Sequence, residues 1–139
     1  MNLSYYILVF DMGAEVILSK FEMGEHSAKN TKKSTMVVET HTNDLKEVKE
    51  NEEVIISLSY FDHDKKRLQY KMEMIHKEKK FLASTIEILA LYVDLNERKV
   101  AEFEVEKVKI MDEFIEKNKS QFNNENLKFS SKLKKWKLN

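Results

Sequence analysis

The sequence predicts an α+β domain in which an antiparallel sheet curls around a single apolar helix. Three observations support this prediction: a nearly all-apolar stretch near the amino terminus, four strand-like segments joined by short turns, and an amphipathic helical pattern after them. Because strands joined by short turns pair antiparallel, the four segments are expected to be neighbours in one sheet.

The stretch from Leu3 to Phe21 has almost no polar face, so a helix here must be buried on several sides. A membrane-spanning role is not expected, since such a span needs about 20 apolar residues and three charges interrupt this one, at Asp11, Glu15 and Lys20. The run 5–10 is also rich in residues that favour strands, so propensity alone leaves the two structures close to balanced. The length of the stretch favours a helix.

Strand character recurs four times after residue 34. The segments run from Thr35 to Thr42, from Val54 to Phe61, from Leu68 to His76 and from Phe81 to Val93. Strict alternation of apolar and polar residues makes the third the clearest, and the second is interpreted as an internal strand. The polar stretch 22–34 is expected to be a connecting loop, and 105–115 has helical spacing.

Composition excludes several kinds of site. The 139 residues include 24 basic and 24 acidic side chains, so the whole molecule has no electrostatic bias toward nucleic acid or membrane. The absence of cysteine rules out disulfides and thiolate catalysis. Two glycines are too few for a glycine-rich phosphate loop. No secretory pattern is present, so a cytoplasmic location is expected.

Residues 117–139 form a basic extension after a predicted domain at 1–116. The extension has seven lysines, one acid at Glu125, and three aromatic residues at Phe122, Phe129 and Trp136. Such a tail can bind nucleic acid or an anionic membrane, or form a marginal amphipathic helix. Because lysine is abundant along the whole chain, we expect a solvated or loosely docked extension, with no nucleic-acid or membrane partner.

Five short motifs occur in order between Met1 and about residue 114. They are Met1-Asn2-x-x-Tyr5-Tyr6-x-x-x-Phe10-Asp11-x-x-x-Glu15, Val38-Glu39-Thr40-His41, Phe61-Asp62-His63-Asp64-Lys65-Lys66-Arg67-Leu68, Ala83-Ser84-Thr85-x-Glu87 and Val93-Asp94-Leu95-x-x-Arg98. Their order and spacing resemble the hot-dog-fold acyl-CoA thioesterases of the 4-hydroxybenzoyl-CoA thioesterase-like family. The resemblance implies hydrolysis of an acyl-CoA thioester to free acid and CoA, in a homodimer or homotetramer with the acyl site at the subunit interface. Neither a cofactor nor a metal is expected.

One part of the family signature falls outside this sequence. In the family, a first strand ending in Asp-x-x-x-His precedes the central helix, and the Asp is the principal carboxylate; these residues would lie before Met1. We expect Met1 to be internal to a longer reading frame. The alternative is a shortened member that is weakly active or inactive, such as a non-catalytic protein that binds acyl-CoA or a partner protein.

Asn2 and Glu39 are the predicted catalytic residues. Thioester hydrolysis needs a carboxylate to activate water or attack the acyl carbon, and a donor for the developing oxyanion. In the family, the amino terminus of the central helix polarises the carbonyl, and Asn2 would face the substrate there; capping of the helix alone is the favoured explanation of Asn2. Glu39 shares a strand face with His41, and its alternative is a solvent-facing carboxylate.

Substrate contacts are predicted for Tyr6, Lys66, Arg67 and Glu87. Lys66 and Arg67 are candidates for the phosphates of CoA, and a solvated hairpin tip is the alternative for both. Glu87 lies in an apolar run, where a carboxylate can act as acid or base, or it faces solvent or pairs with a lysine. His63 is expected at the surface.

Overall fold

The structure, a computed structural model, describes residues 3–135. Its helices are α1 (Leu3–Lys20), α2 (Glu25–Thr31) and α3 (Val105–Asn118), and its strands are β1 (Lys33–Asp44), β2 (Val54–His63), β3 (Arg67–His76), β4 (Leu82–Asp94) and β5 (Lys99–Val100). Short 3-10 turns follow at Lys119–Gln121 and Ser130–Lys132. The predicted α+β class, with helix rather than strand at the amino terminus, is confirmed.

The sheet is antiparallel throughout, with the order β1-β4-β3-β2, and β5 pairs with β4. The prediction that β1 and β2 are neighbours is therefore wrong. The internal position predicted for β2 is also wrong, because β2 is an edge strand among the described residues. Residues 45–53 can extend over about 30 Å, more than the roughly 14 Å across three strand spacings. The connection is therefore long enough to place β2 at the opposite edge of the sheet from β1.

Helix α1 packs on one face of the sheet, here called the inner face. Strand β3 presents Leu68, Tyr70, Met72 and Met74 on this face, all within one core cluster. The side chains that α1 buries against the sheet are Tyr6, Phe10, Ala14, Ile17, Leu18 and Phe21. Its opposite side exposes Tyr5, Ile7, Leu8, Met12 and Val16. Within this chain α1 is thus covered on one side, not on several.

A close approach fixes α1 against β2 at Gly13. A Cβ atom at this position would lie 2.7 Å from Cγ2 of Ile56, closer than side chains tolerate. Glycine therefore lets the helix backbone approach the strand directly.

The stretch predicted as a loop, 22–34, contains α2. Helix α1 ends where Glu22 adopts a left-handed φ of 60°, and Oε1 of Glu15 then accepts the N–H of Glu25 at 2.7 Å. This contact gives the first turn of α2 an acceptor that was not evident from the local sequence.

Helix α3 closes the core at the end of β2. Phe114 makes edge-to-face contacts with Phe21 and Phe61, with ring centroids 5.3 and 5.8 Å apart. No helix within residues 3–135 is long and apolar enough to cross a membrane.

Replacing Phe10 with Ala should lower the free energy of unfolding by about 3–5 kcal/mol, because this ring is 1% exposed and its removal leaves a cavity. Val16→Ala on the exposed side of the same helix should cost under about 1 kcal/mol. Urea unfolding of both variants tests the packing of α1, and equal losses would contradict it.

Candidate functional site

The amino-terminal end of α1 lies at one end of the sheet, beside a cleft. The Tyr6 hydroxyl accepts the N–H of Val48 at 2.8 Å, and Phe21 at the other end of α1 contacts Phe61 with centroids 4.7 Å apart. Helix α1 therefore runs parallel to β2 and begins where β2 begins. A cleft of about 560 Å³ lies at this end of the strands; residues 51–53, 76–78 and 80 line it, and no described residue of α1 does.

Glu52 and His76 form a fixed pair in this cleft. Nδ1 of His76 accepts the N–H of Lys79 at 2.9 Å, so Nε2 carries the ring proton and donates to Oε2 of Glu52 at 2.8 Å. Oε1 of Glu52 accepts the N–H of Lys49 at 2.7 Å. The hydrogen bond from His76, followed by that from Lys49, lowers the pKa of Glu52. Glu52 is thus an oriented, ionised carboxylate at neutral pH.

Sequence reasoning did not single out this pair. Val54 and His76 are partners in the β2–β3 register, which carries Glu52, two residues before Val54, to the imidazole. The register was the missing signal, because a glutamate in a charged loop is unremarkable by itself.

Glu87 lies on the opposite, outer face of the sheet and is 1% exposed. It accepts the backbone N–H groups of Lys128 and Phe129 at 2.6 and 3.0 Å, and Nε2 of Gln69 at 2.9 Å. Glu87 therefore does not face solvent, and its donors are two backbone N–H groups and an amide rather than a lysine side chain. Its carboxylate holds the C-terminal segment, defined here as residues 122–135, against the sheet.

Three further contacts dock the C-terminal segment. Ser59, at the bulge of β2, accepts the N–H of Asn123 at 2.8 Å through its carbonyl. Phe129 and Leu133 bury against Leu89 in a small cluster of their own. The described part of the basic extension is therefore anchored to the outer face at Phe129 and Leu133, while its lysine side chains stay exposed. Trp136 lies outside the described residues.

The β2–β3 hairpin is organised by Asp64, which is 6% exposed. Its carboxylate accepts the N–H groups of Lys66 and Arg67 at 2.8 and 2.7 Å, the N–H of Lys134 at 2.7 Å, and Nη1 of Arg67 at 3.1 Å. Burial opposes ionisation, but these hydrogen bonds outweigh it and hold the pKa of Asp64 below its usual value. The carboxylate therefore joins the hairpin to the C-terminal segment.

His63 next to it is buried, so its expected surface position is wrong. Its ring nitrogens contact the Asp64 carbonyl at 2.8 Å and the carboxylate of Asp112 in α3 at 2.6 Å. Because every residue from 62 to 65 is polar, the local sequence gives no sign that one of these side chains packs under α3.

The predicted site residues occupy three separate places. Tyr6 is buried near the cleft, and Asn2 lies outside the described residues. Glu39 is exposed on β1 in register with Leu89, which puts it on the outer face with Glu87. Lys66 and Arg67 lie at the hairpin, about 30 Å along the strands from the cleft. Within the described part of the chain, these residues do not come together.

Comparison with known proteins gives the family. Residues 1–117 match the family model described as the thioesterase-like superfamily. The chain belongs to this superfamily. No curated protein matches the sequence of this thioesterase-like chain.

Solved structures share its fold. A hypothetical protein from Staphylococcus aureus, determined in complex with CoA, is 17% identical with a TM-score of 0.79, over 100% of this chain and 84% of that one. A DHNA-CoA thioesterase from Staphylococcus aureus is 16% identical with a TM-score of 0.73, over 86% and 80% of the two chains. A 1,4-dihydroxy-2-naphthoyl-CoA thioesterase from Synechocystis is 12% identical with a TM-score of 0.69, over 81% and 82%. At these identities the likeness concerns the fold, which is the predicted hot-dog fold.

The Asp64 contacts predict a pH-dependent loss of stability. Because the folded pKa lies below the unfolded value of about 3.9, ionised Asp64 stabilises the fold above that pH, and the contribution disappears as pH falls through the folded pKa. Asp64→Asn should cost about 2–4 kcal/mol at pH 7 and progressively less as pH falls below the unfolded value of about 3.9. Urea unfolding at pH 7 and at a series of acid pH values measures this difference.

Asp11→Asn, the same change at an exposed carboxylate of α1, is the matched control and should alter stability by about 0.5 kcal/mol or less. A cost at position 64 that is independent of pH would contradict the role given to its charge.

Proposed function

We propose that this protein hydrolyses an acyl-CoA thioester at the end of the sheet where α1 begins. The observation that carries the proposal is the oriented, ionised Glu52 in its cleft. The loop that holds Glu52 also contacts the first turn of α1, since Lys49 donates to Glu52 and the preceding residue, Val48, donates to Tyr6. Support comes from the thioesterase-like superfamily model, from structural neighbours named as CoA thioesterases, and from a neighbour determined in complex with CoA.

The proposed reaction uses the carboxylate as the base. Glu52 takes a proton from a water molecule while the water oxygen attacks the acyl carbon. CoA then leaves as the thiolate and is protonated. Free N–H groups in the first turn of α1, and the helix dipole, stabilise the oxyanion of the tetrahedral intermediate. His76 is a positioning residue, because its Nε2–H fixes the orientation of Glu52.

The other predicted site residues have places in this proposal. Asn2 lies outside the described residues, and its catalytic role stays a prediction. Glu39 lies on the edge strand β1, which we propose as the interface between two copies of the chain. At that interface Glu39 would act as a second carboxylate. Tyr6 would shape the pocket from the helix side, and the outer-face position of Glu87 suits it to holding the C-terminal segment rather than the acyl group.

A homodimer is part of the proposal. Among the described residues, β1 is an edge strand of the sheet, and it exposes three consecutive apolar side chains, Met36, Val37 and Val38, by 48–53%. A long edge strand with apolar side chains is a site for pairing with another strand. Two copies joined along β1 would extend the sheet across the interface.

Wild-type protein should therefore have a dimer mass by light scattering at micromolar concentration. Val38→Lys should shift the mass toward the monomer, because a charge on an edge strand opposes pairing. Val105→Lys, at a side chain that is 80% exposed on α3, is the control and should remain dimeric. A dimer that is indifferent to Val38→Lys would place the interface elsewhere.

Glu52→Gln should lower kcat at least about 100-fold, because the amide cannot accept the proton from water. The measurement is thiol release from a panel of aromatic and aliphatic acyl-CoAs. Glu53→Gln, at a neighbouring carboxylate that pairs with Lys77, should retain activity. Unchanged activity in Glu52→Gln would exclude Glu52 as the catalytic base, and Glu39→Gln would then be tested in the same way. CoA binding without any thiol release would instead favour the non-catalytic alternative.

A further inference from the structure

We infer that the outer face of the sheet carries a binding site for an α-amino acid, beneath the C-terminal segment. The site is a cleft of about 410 Å³ whose floor comes mainly from β1, β3 and β4 and whose wall comes from the part of the chain between residues 123 and 128. It shares no lining residue with the cleft of Glu52. Binding there goes beyond the proposed hydrolysis and does not require it.

The strand register places the polar residues of the floor side by side. Asn43 of β1 and Glu73 of β3 are both register partners of Thr85 in β4. Lys71 lies two residues before Glu73, so the two side chains project from the same face of β3, about 7 Å apart along the strand. A ligand on this floor can therefore reach an ammonium group and a carboxylate at the same time.

The C-terminal segment forms a fixed wall of the cleft. At one end the N–H of Asn123 donates to the carbonyl of Ser59 at 2.8 Å, and at the other the N–H of Lys128 donates to Oε1 of Glu87 at 2.6 Å. Between these points Oδ1 of Asn123 accepts the N–H of Glu125 at 2.9 Å. The backbone that carries Glu125 and Lys128 is therefore held at the cleft by the sheet.

The charged side chains of the cleft are balanced in sign but unpaired. Lys71 and Lys128 supply two cations, and Glu73 and Glu125 supply two anions. Among residues 3–135, none of these four side chains forms an ion pair or a hydrogen bond. A ligand with both an ammonium group and a carboxylate satisfies both signs, whereas a ligand with one charge leaves the opposite sign without a partner.

Thr85 provides an independent observation that points to a ligand. It lines the cleft and is 8% exposed, yet its hydroxyl makes no hydrogen bond within the described chain. A nearly buried hydroxyl without a partner is costly, and a carboxylate oxygen of a bound ligand would accept a hydrogen bond from it. We therefore assign Lys71 and Thr85 to the ligand's carboxylate and Glu73 to its ammonium group.

The spacing of these groups suits an α-amino acid, in which the ammonium and carboxylate groups flank a single carbon atom. One such molecule can bridge the roughly 7 Å between the strand positions of Lys71 and Glu73. The remaining volume holds the ligand's side chain beside Asn123 and Asn126, so a polar side chain is expected there.

The experiment is an NMR titration of the isotope-labelled full chain with L-serine, L-glutamine, L-glutamate and L-lysine. At least one should bind with a Kd of about 1 mM or below. The N-acetyl and the carboxamide derivatives of that amino acid should each bind at least about fivefold more weakly, because each lacks one of the two charges.

Lys71→Gln and Glu73→Gln should each weaken binding of the amino acid at least about fivefold. In Lys71→Gln the carboxamide derivative should lose little further affinity, because the charge that recognises the carboxylate is already gone. Lys117→Gln and Glu113→Gln, at exposed positions of α3, are the matched controls and should bind as the wild type does.

Thr85→Val should weaken binding about threefold without lowering the urea midpoint, because the hydroxyl has no partner to lose within the described chain. This variant separates a role in binding from a role in folding, since valine has nearly the same shape and favours strands.

No binding of any of the four amino acids overturns the site. Equal binding of the amino acid and its two derivatives overturns the recognition of both charges, and equal affinity in wild type, Lys71→Gln and Glu73→Gln places the ligand elsewhere and also overturns the inference. Because the titration measures binding without turnover, failure of this site and failure of the proposed hydrolysis are distinguishable.

Discussion

Burial of the inner face of β3 against α1 is the interaction on which the rest of the structure depends. Leu68, Tyr70, Met72 and Met74 are each 2% exposed or less, and burying four such side chains contributes several kcal/mol. Helix α1 can supply the opposing surface because Gly13 lets its backbone approach Ile56. This packing sets the direction of α1, which begins toward the end of the strands where the β2–β3 register brings Glu52 to His76.

The two faces of the sheet have different roles as a result. The inner face is apolar and is filled by the helix, whereas the outer face carries Gln69 and Glu87 among its apolar side chains. A buried carboxylate on a sheet face needs donors, and the C-terminal segment provides two of them as backbone N–H groups. The segment is thereby part of the fold, although it lies beyond the residues that match the superfamily model.

Local patterns predicted much of this fold and little of the site. The strict alternation at β3 and the apolar stretch at α1 were sufficient for the α+β class, because each depends only on neighbouring residues. Strand order was not predictable from turn length, since the connection 45–53 crosses from β1 to the opposite edge of the sheet. The pairing of Glu52 with His76 and the burial of Glu87 follow from register and from the C-terminal segment, both of which are long-range.

The contacts of Glu87 also have a consequence for the order of folding. Its two backbone donors lie 41 and 42 residues further along the chain, and they are among the last described residues to be synthesised. Until these donors have been synthesised, water must solvate this carboxylate, even if strands β1 to β5 have already paired. Glu87 can therefore be covered only after synthesis of residue 129, so this part of the packing is a late event in the biogenesis of the domain.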